Sequence, residues 1–115
     1  MNNVMISIVG IVGSPFCVEA EDGQRVYELI RKAISEKKKI TVSFINVKMM
    51  TSAFLNTAIG QLYRDSTEND IRNYLSVEDI SEDDLVLLKR VVDTAKLFYS
   101  SGDEIGQTIN EILGE

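Results

Sequence analysis

The sequence predicts an α/β fold, a small mostly parallel or mixed sheet of about four strands accompanied by three to four helices. Three observations predict it. Apolar, β-branched runs at 4–12 and 40–47 alternate with stretches whose apolar residues recur at helical spacing. Strands separated by helices imply crossover connections, and crossovers join parallel strands. The length of 115 residues, 44% hydrophobic and 26% charged, suits one domain that buries a core and is too apolar for a disordered chain. The domain is read as 1–115, with a core over about 4–100 and a C-terminal helix over about 103–113.

Each element has a local reason. The run Val4 to Val12 reads as a strand buried on both faces, broken by Gly13-Ser14-Pro15, with Phe16 to Val18 pairing back as a short second strand. Asp22 is the expected N-cap of a helix to about Lys38, whose stripe is Val26, Leu29, Ile30, Ala33 and Ile34. Ile40 to Val47 returns to strand character. Thr51 or Ser52 caps a second helix with Leu55, Ile59, Leu62 and Tyr63 on its inner face. Residues 65–72 are polar and read as a loop with a frayed helix end, and Asn73 to Val77 as a weaker strand. Ser81-Glu82-Asp83-Asp84 opens a helix to about Tyr99, with Leu85, Leu88, Val92, Ala95 and Tyr99 toward the core. Val86 and Leu97 flank its polar stripe, and are either an exposed apolar patch for a partner or a dimer or, the favoured reading, covered by a last helix carrying Ile105, Ile109, Ile112 and Leu113.

Composition narrows the chemistry. The chain has no His, one Cys, 12 basic and 18 acidic residues. Without His there is no His general base, no Ser-His-Asp or Cys-His nucleophile and no His-bearing zinc site. One Cys permits neither an internal disulfide nor a Cys-rich metal cluster. The net charge of −6 is uneven: residues 1–58 carry 7 basic and 5 acidic groups (+2), and residues 59–115 carry 5 and 13 (−8). An acidic domain repels phosphate backbones, so no nucleic-acid partner is expected. The opening apolar run is too short for a membrane helix and lacks a signal peptide's basic start, so a cytoplasmic protein without a membrane partner is expected.

Several constellations invite chemistry and have simpler accounts. Gly10-Ile11-Val12-Gly13 lacks the Lys-Ser/Thr of a phosphate loop and the third Gly of a dinucleotide fingerprint, and reads as a tight strand-to-strand turn. Cys17 reads as a buried or edge-strand thiol, since no His is present to lower its pKa. Glu78, Asp79, Glu82, Asp83 and Asp84 lack the alternation and Gly of a calcium loop and fit a helix N-terminus, so no metal and no cofactor are expected. Lys37-Lys38-Lys39 reads as a solvated helix C-terminus. The chain is therefore expected not to be an enzyme.

The stretch Lys39 to Leu62 stands apart, because a strand feeds a hydroxyl-rich helix start almost without a loop. In Met49-Met50-Thr51-Ser52-Ala53-Phe54 two hydroxyls sit where the first helical N–H groups are exposed, a place that attracts anions, or that Thr51 and Ser52 simply cap. These residues also resemble the STAS-like family, relatives of anti-sigma factor antagonists. Asn46-Val47, Thr51-Ser52, Phe54 and Gly60 match its pattern, as does Asp22-Gly23-Gln24-Arg25-Val26-Tyr27 as a first helix start, and the likeness covers roughly residues 4–100.

The resemblance implies a STAS-like sandwich and a regulatory binding domain without catalysis. The relatives bind a histidine-kinase-type ATPase that phosphorylates a Ser at the start of the helix after the central strand. In their Asp-Ser-Ser-Gly motif the second Ser is the acceptor; here Asp falls on Thr51, the first Ser on Ser52, the acceptor on Ala53 and Gly on Phe54. The acceptor hydroxyl is missing, and Ser52 is the candidate phosphoacceptor. Partner binding is expected through Thr51, Ser52, Ala53, Phe54 and Asn56, with a homodimer as a further expectation. The alternative is a small-ligand or nucleotide sensor binding an anionic group at the same helix N-terminus; an enzyme using Cys17 or the 78–84 carboxylates ranks third.

Overall fold

The computed structural model describes residues 3–99. In chain order these form β1 (Asn3–Ser7), α1 (Ile8–Val12), β2 (Phe16–Cys17), α2 (Ala20–Ser35), β3 (Lys39–Ser43) and β4 (Met49–Met50). There follow α3 (Ser52–Leu55), a π-helical turn (Asn56–Gly60), α4 (Leu62–Asp65), α5 (Glu68–Tyr74), β5 (Leu75–Glu78) and α6 (Glu82–Tyr99). The α/β architecture is the one expected. Its strands, however, are divided between a three-stranded sheet ordered β1-β3-β5 and a two-stranded sheet of β2 and β4, all pairs parallel. Val4 lies opposite Ile40 and Ile6 opposite Val42, while Ile40 and Val42 lie opposite Leu75 and Val77. Helix α2 supplies the crossover from β1 to β3, and α3 to α5 supply the one from β3 to β5.

The core forms where α2 and the α3–α4 stretch meet the central strand. Val26, Ile30 and Ile34 of α2 meet Ile40 and Val42 of β3, together with Phe54, Leu55, Ile59 and Leu62, all buried. Fully burying each such side chain is worth roughly 1.5–3 kcal/mol. Leu29, expected in the α2 stripe, is 43% exposed at its margin. Of the expected inner face of the second helix, Leu55, Ile59 and Leu62 are buried and Tyr63 is half-buried.

Four expectations are corrected. The first strand ends at Ser7, because the Ser7 hydroxyl accepts a 3.0 Å hydrogen bond from the Gly10 amide and caps α1. Gly13 then closes α1 at φ 81°, a left-handed conformation suited to glycine, its amide donating to the Val9 carbonyl at 2.8 Å. Gly10 to Gly13 is thus a capped helical turn. Second, Phe16–Cys17 does not pair back on β1 but runs parallel to β4. Third, α2 begins at Ala20, so Asp22 lies inside its first turn, favouring the helix dipole and pairing with Arg25. Fourth, the expected loop at 65–72 contains α5, capped by the Thr67 hydroxyl, which accepts from the Asp70 amide at 3.1 Å.

Two helix ends show further chemistry. Helix α2 closes with paired bonds from the Lys37 amide to the Ile34 carbonyl (3.0 Å) and from the Lys38 amide to the Ala33 carbonyl (2.9 Å). This motif puts Lys37 at φ 57°, where glycine is usual. Of the three lysines expected at a helix C-terminus, Lys37 and Lys38 follow the end of α2, with Lys37 exposed, whereas Lys39 is the first residue of β3. On α6 the buried stripe is Leu88, Val91 and Ala95, with Leu85, Val92 and Tyr99 half-buried, a stripe rotated slightly from the expected one. Val86 and Leu97 are 57% and 68% exposed. The last helix expected over 103–113 lies outside the described residues.

Candidate functional site

After β3 the chain makes a turn in which the Val47 amide donates to the Phe44 carbonyl at 3.1 Å and Asn46 takes φ 67°. Asn tolerates that left-handed conformation better than most residues, which accounts for the Asn46-Val47 pair. The chain then forms β4 beside β2, and a single residue, Thr51, links it to α3.

Thr51 joins three segments. Its amide donates to the Cys17 carbonyl (3.2 Å), its hydroxyl donates to the Val18 carbonyl (2.8 Å), and that oxygen accepts from the Phe54 amide (3.2 Å). The Thr51 carbonyl accepts from the Leu55 amide at 3.1 Å. Of the N–H groups left without a helical partner at this start, the Phe54 amide is satisfied by the Thr51 hydroxyl, while the Leu55 amide makes the first regular helical bond. The hydroxyl is a cap and a clamp on the end of β2.

The predicted contact residues separate by exposure. Ser52, Ala53 and Asn56 are exposed and Thr51 is half-buried. Phe54 is 0% exposed and belongs to the core, so its side chain is withdrawn from any surface contact. Two residues that sequence reasoning missed complete the ledge. Phe16 and Met49 are register partners of the β2–β4 ladder, each 53% exposed, beside the strand end from which α3 starts. Only knowledge of that pairing brings them together, since they are 33 positions apart.

Helix α2 backs the ledge at close range. An ideal Cβ at Gly23 would stand 2.6 Å from the Phe54 carbonyl oxygen and 3.1 Å from the Thr57 Cβ, so glycine permits the approach. Behind it the Gln61 side-chain amide donates to the Gln24 side-chain oxygen and to the Thr57 carbonyl, both at 2.9 Å. The Gln61 backbone amide donates to the Asn56 carbonyl at 3.0 Å, the bond that defines the π turn.

The other candidates occupy ordinary structural roles. Cys17 is 0% exposed, and burial, then the nearby Asp22 and Asp84 charges, push its thiol up to about 11. Such a thiol is protonated and unreactive at neutral pH. Glu82, Asp83 and Asp84 lie in the first turn of α6, and the Ser81 hydroxyl accepts from the Asp84 amide at 3.2 Å. Asp79 accepts from the buried Ser43 hydroxyl at 2.8 Å. Among the described residues no group of three or more His, Cys, Asp or Glu side chains is placed to hold a metal ion.

A polar crevice of about 500 Å³ opens between α4, α5 and α6, lined by Tyr63, Arg64, Asp65, Glu68, Lys96 and Tyr99. Its charges pair internally: Arg64 with Asp65 at 3.2 Å, and Glu68 with Lys96 at 3.0 Å and with Arg72 at 2.8 Å. The Tyr27 hydroxyl donates to Asp65 from α2. Partial burial would raise the Asp65 carboxyl, but Tyr27 and Arg64 outweigh it and hold the group below its usual value. No described helix is long and apolar enough to cross a membrane.

A family model described as a STAS-like domain of unknown function (DUF4325) covers residues 22–85, from the first turn of α2 to the first turn of α6. Neither the curated proteins nor the solved structures yield a match. The model spans more than half of the chain and takes in β3, β4 and the whole helix start at Thr51, the same stretch whose residues carried the resemblance. The chain therefore belongs to the STAS-like domain family of unknown function.

Proposed function

We propose that this domain is a non-catalytic regulatory module that docks on a partner protein, a histidine-kinase-type ATPase, through the ledge at the start of α3. The observation that carries the reading is that Ser52 and Ala53, exposed at the first turn of α3, follow directly in the chain on β4, whose Met49 forms a half-exposed apolar pair with its register partner Phe16. Thr51 acts beneath the ledge as a positioning residue, and Asn56 extends it by one helical turn. Apolar side chains held on a rigid ladder beside small residues give close approach at low entropic cost.

Ala53 at the expected acceptor position leaves docking without the usual switch. Ser52 is the exposed hydroxyl next to it. A phosphoryl group there would add about −1.5 to −2 charges beside Phe16 and Met49, and desolvating that charge opposes docking.

The test is a titration against a kinase-like ATPase encoded beside the gene, followed by isothermal calorimetry. Met49→Arg and Ala53→Arg should abolish binding while the melting temperature stays unchanged. Undiminished binding by both variants refutes the ledge, and binding to no such ATPase refutes the partner class. Incubation with that ATPase and ATP, read by intact mass, tests Ser52: a phosphate absent from Ser52→Ala identifies it as the acceptor.

A further inference from the structure

A second surface, formed by β1 and the C-terminal half of α2, shares no residue with the ledge. Strand β1 is an outer strand of its sheet, hydrogen-bonded to β3 on one side. Among the described residues nothing pairs with its other side, so alternate residues of Asn3–Ser7 present unpaired N–H and C=O groups outward. Proteins usually blunt such an edge with charge, proline or a bulge. Val4, Met5 and Ile6 provide neither charge nor proline, and the five-residue register with β3 runs without interruption.

Beside this edge lies a groove of about 190 Å³ between β1 and α2. Val4, Ile6, Leu29 and Ala33 form its apolar floor, and Lys32 and Lys38 stand on its rim. Val4 and Leu29 are 37% and 43% exposed. Val4 and Ile6 share one face of the strand, so an added strand would offer every second side chain to the same groove. Ile40, the register partner of Val4, closes the floor on the β3 side. The charged lining of the groove is Lys32, Lys38 and one acid, Glu36, which is paired with Lys38 at 3.1 Å, so the rim keeps a net positive charge.

That charge selects the occupant. Two copies joined edge to edge would bring two such basic rims to one sheet, and β1 itself brings no carboxylate to offset them. An acidic strand is the complement. We propose that β1 is an acceptor for an extended acidic segment of a partner protein, which adds alongside β1, sets alternate apolar side chains in the Val4–Ile6–Leu29 groove and places carboxylates against Lys32 and Lys38. This surface is separate from the α3 ledge, so the domain would bridge two partners.

The probes are short fluorescein-labelled peptides that alternate Val with Glu, Val with Lys, or Val with Glu interrupted by a central Pro. Fluorescence anisotropy should show saturable binding of the Glu peptide at least about tenfold tighter than either of the others. The variant Lys32→Glu/Lys38→Glu, with its circular dichroism melt unchanged, should reverse the charge preference. Hydrogen exchange should slow at alternate β1 amides and not at Ser52 or Ala53. No saturable binding of the Glu peptide, equal binding of the Glu and Lys peptides, or protection confined to α3 overturns the proposal. So does a dimer in sedimentation that Met5→Lys abolishes, since a second copy would then own the edge.

Discussion

Gly23 offers the sharpest test of how the candidate site is held. In an ordinary helix interior, Gly→Ala stabilises by about 1 kcal/mol, and Gly23 is an interior residue of α2. Here the added methyl would stand 2.6 Å from the Phe54 carbonyl oxygen, 3.1 Å from the Thr57 Cβ and 3.2 Å from the Ala58 amide nitrogen. Two of those three atoms are backbone, so no rotamer change relieves the contact, and α2 must part from α3 and the π turn. Overpacking of this kind costs about 1–3 kcal/mol, and a backbone obstacle belongs at the upper end. Set against the helix gain, Gly23→Ala should destabilise by about 2 kcal/mol. At about 4 °C per kcal/mol, the melting temperature falls by roughly 8 °C. Thermal and urea unfolding followed by circular dichroism measure it, with the urea midpoint falling at constant slope. Gly10→Ala is the control, because its Cβ would meet the Ser7 Cβ at 3.4 Å, an ordinary contact. A melting temperature that rises in Gly23→Ala would refute the close approach and the support it gives the ledge.

Other outcomes follow from single residues. Lys37→Gly relieves a left-handed backbone at the end of α2 and should stabilise by about 1 kcal/mol, so a melting temperature that fails to rise contradicts the assigned cap. Cys17 in the folded protein should react with a thiol reagent at pH ~8 at least about a hundredfold more slowly than after urea unfolding; similar rates would show that the thiol is not sequestered. Asp65, held below its usual pKa, contributes stability that is present above the unfolded value near ~4 and lost as pH falls through the lower folded value. Tyr27→Phe removes one of the bonds responsible, so the melting-temperature gap between wild type and variant should narrow from pH ~7 to pH ~2. A constant gap would mean that the hydroxyl does not act through the carboxylate.

Long elements with a sustained period were legible in the sequence. The α2 stripe of Val26, Ile30, Ala33 and Ile34 and the strand centred on Val42 fall where their spacing put them, because many weak preferences agree over those lengths. Short elements were not. Ile8–Val12 has a strand composition, yet one serine cap and one glycine at positive φ close it as a helix, so local capping overrides propensity. Helix α5 has seven residues, too few to be stable alone, although Thr67 and Asp70 already carry the cap pattern. Two-residue strands have no period at all, which left β4 unread and hid the pairing of Phe16 with Met49. At the site, cap chemistry made Thr51 and Ser52 readable. Whether Phe54 faces core or surface depends on the crossing of α2, which a linear pattern does not encode.

The π turn at Asn56–Gly60 gives the domain a reserve of length in a crowded place. Five residues occupy a stretch in which an α-helix would need four, so the turn stores one residue that the core does not count. Each residue removed from a regular helix swings everything beyond it by about 100°. A deletion after Leu62 would therefore turn the Tyr63–Asp65 segment off its contacts with α2 and α6. A deletion within 56–60 can be taken up by tightening the turn to α-helical, leaving Leu62 pointing inward and the helix start at Ser52 in place. Length variation among sequences of this fold should accordingly collect at this turn, and its chain can gain or lose a residue between two fixed packing faces without rewriting either.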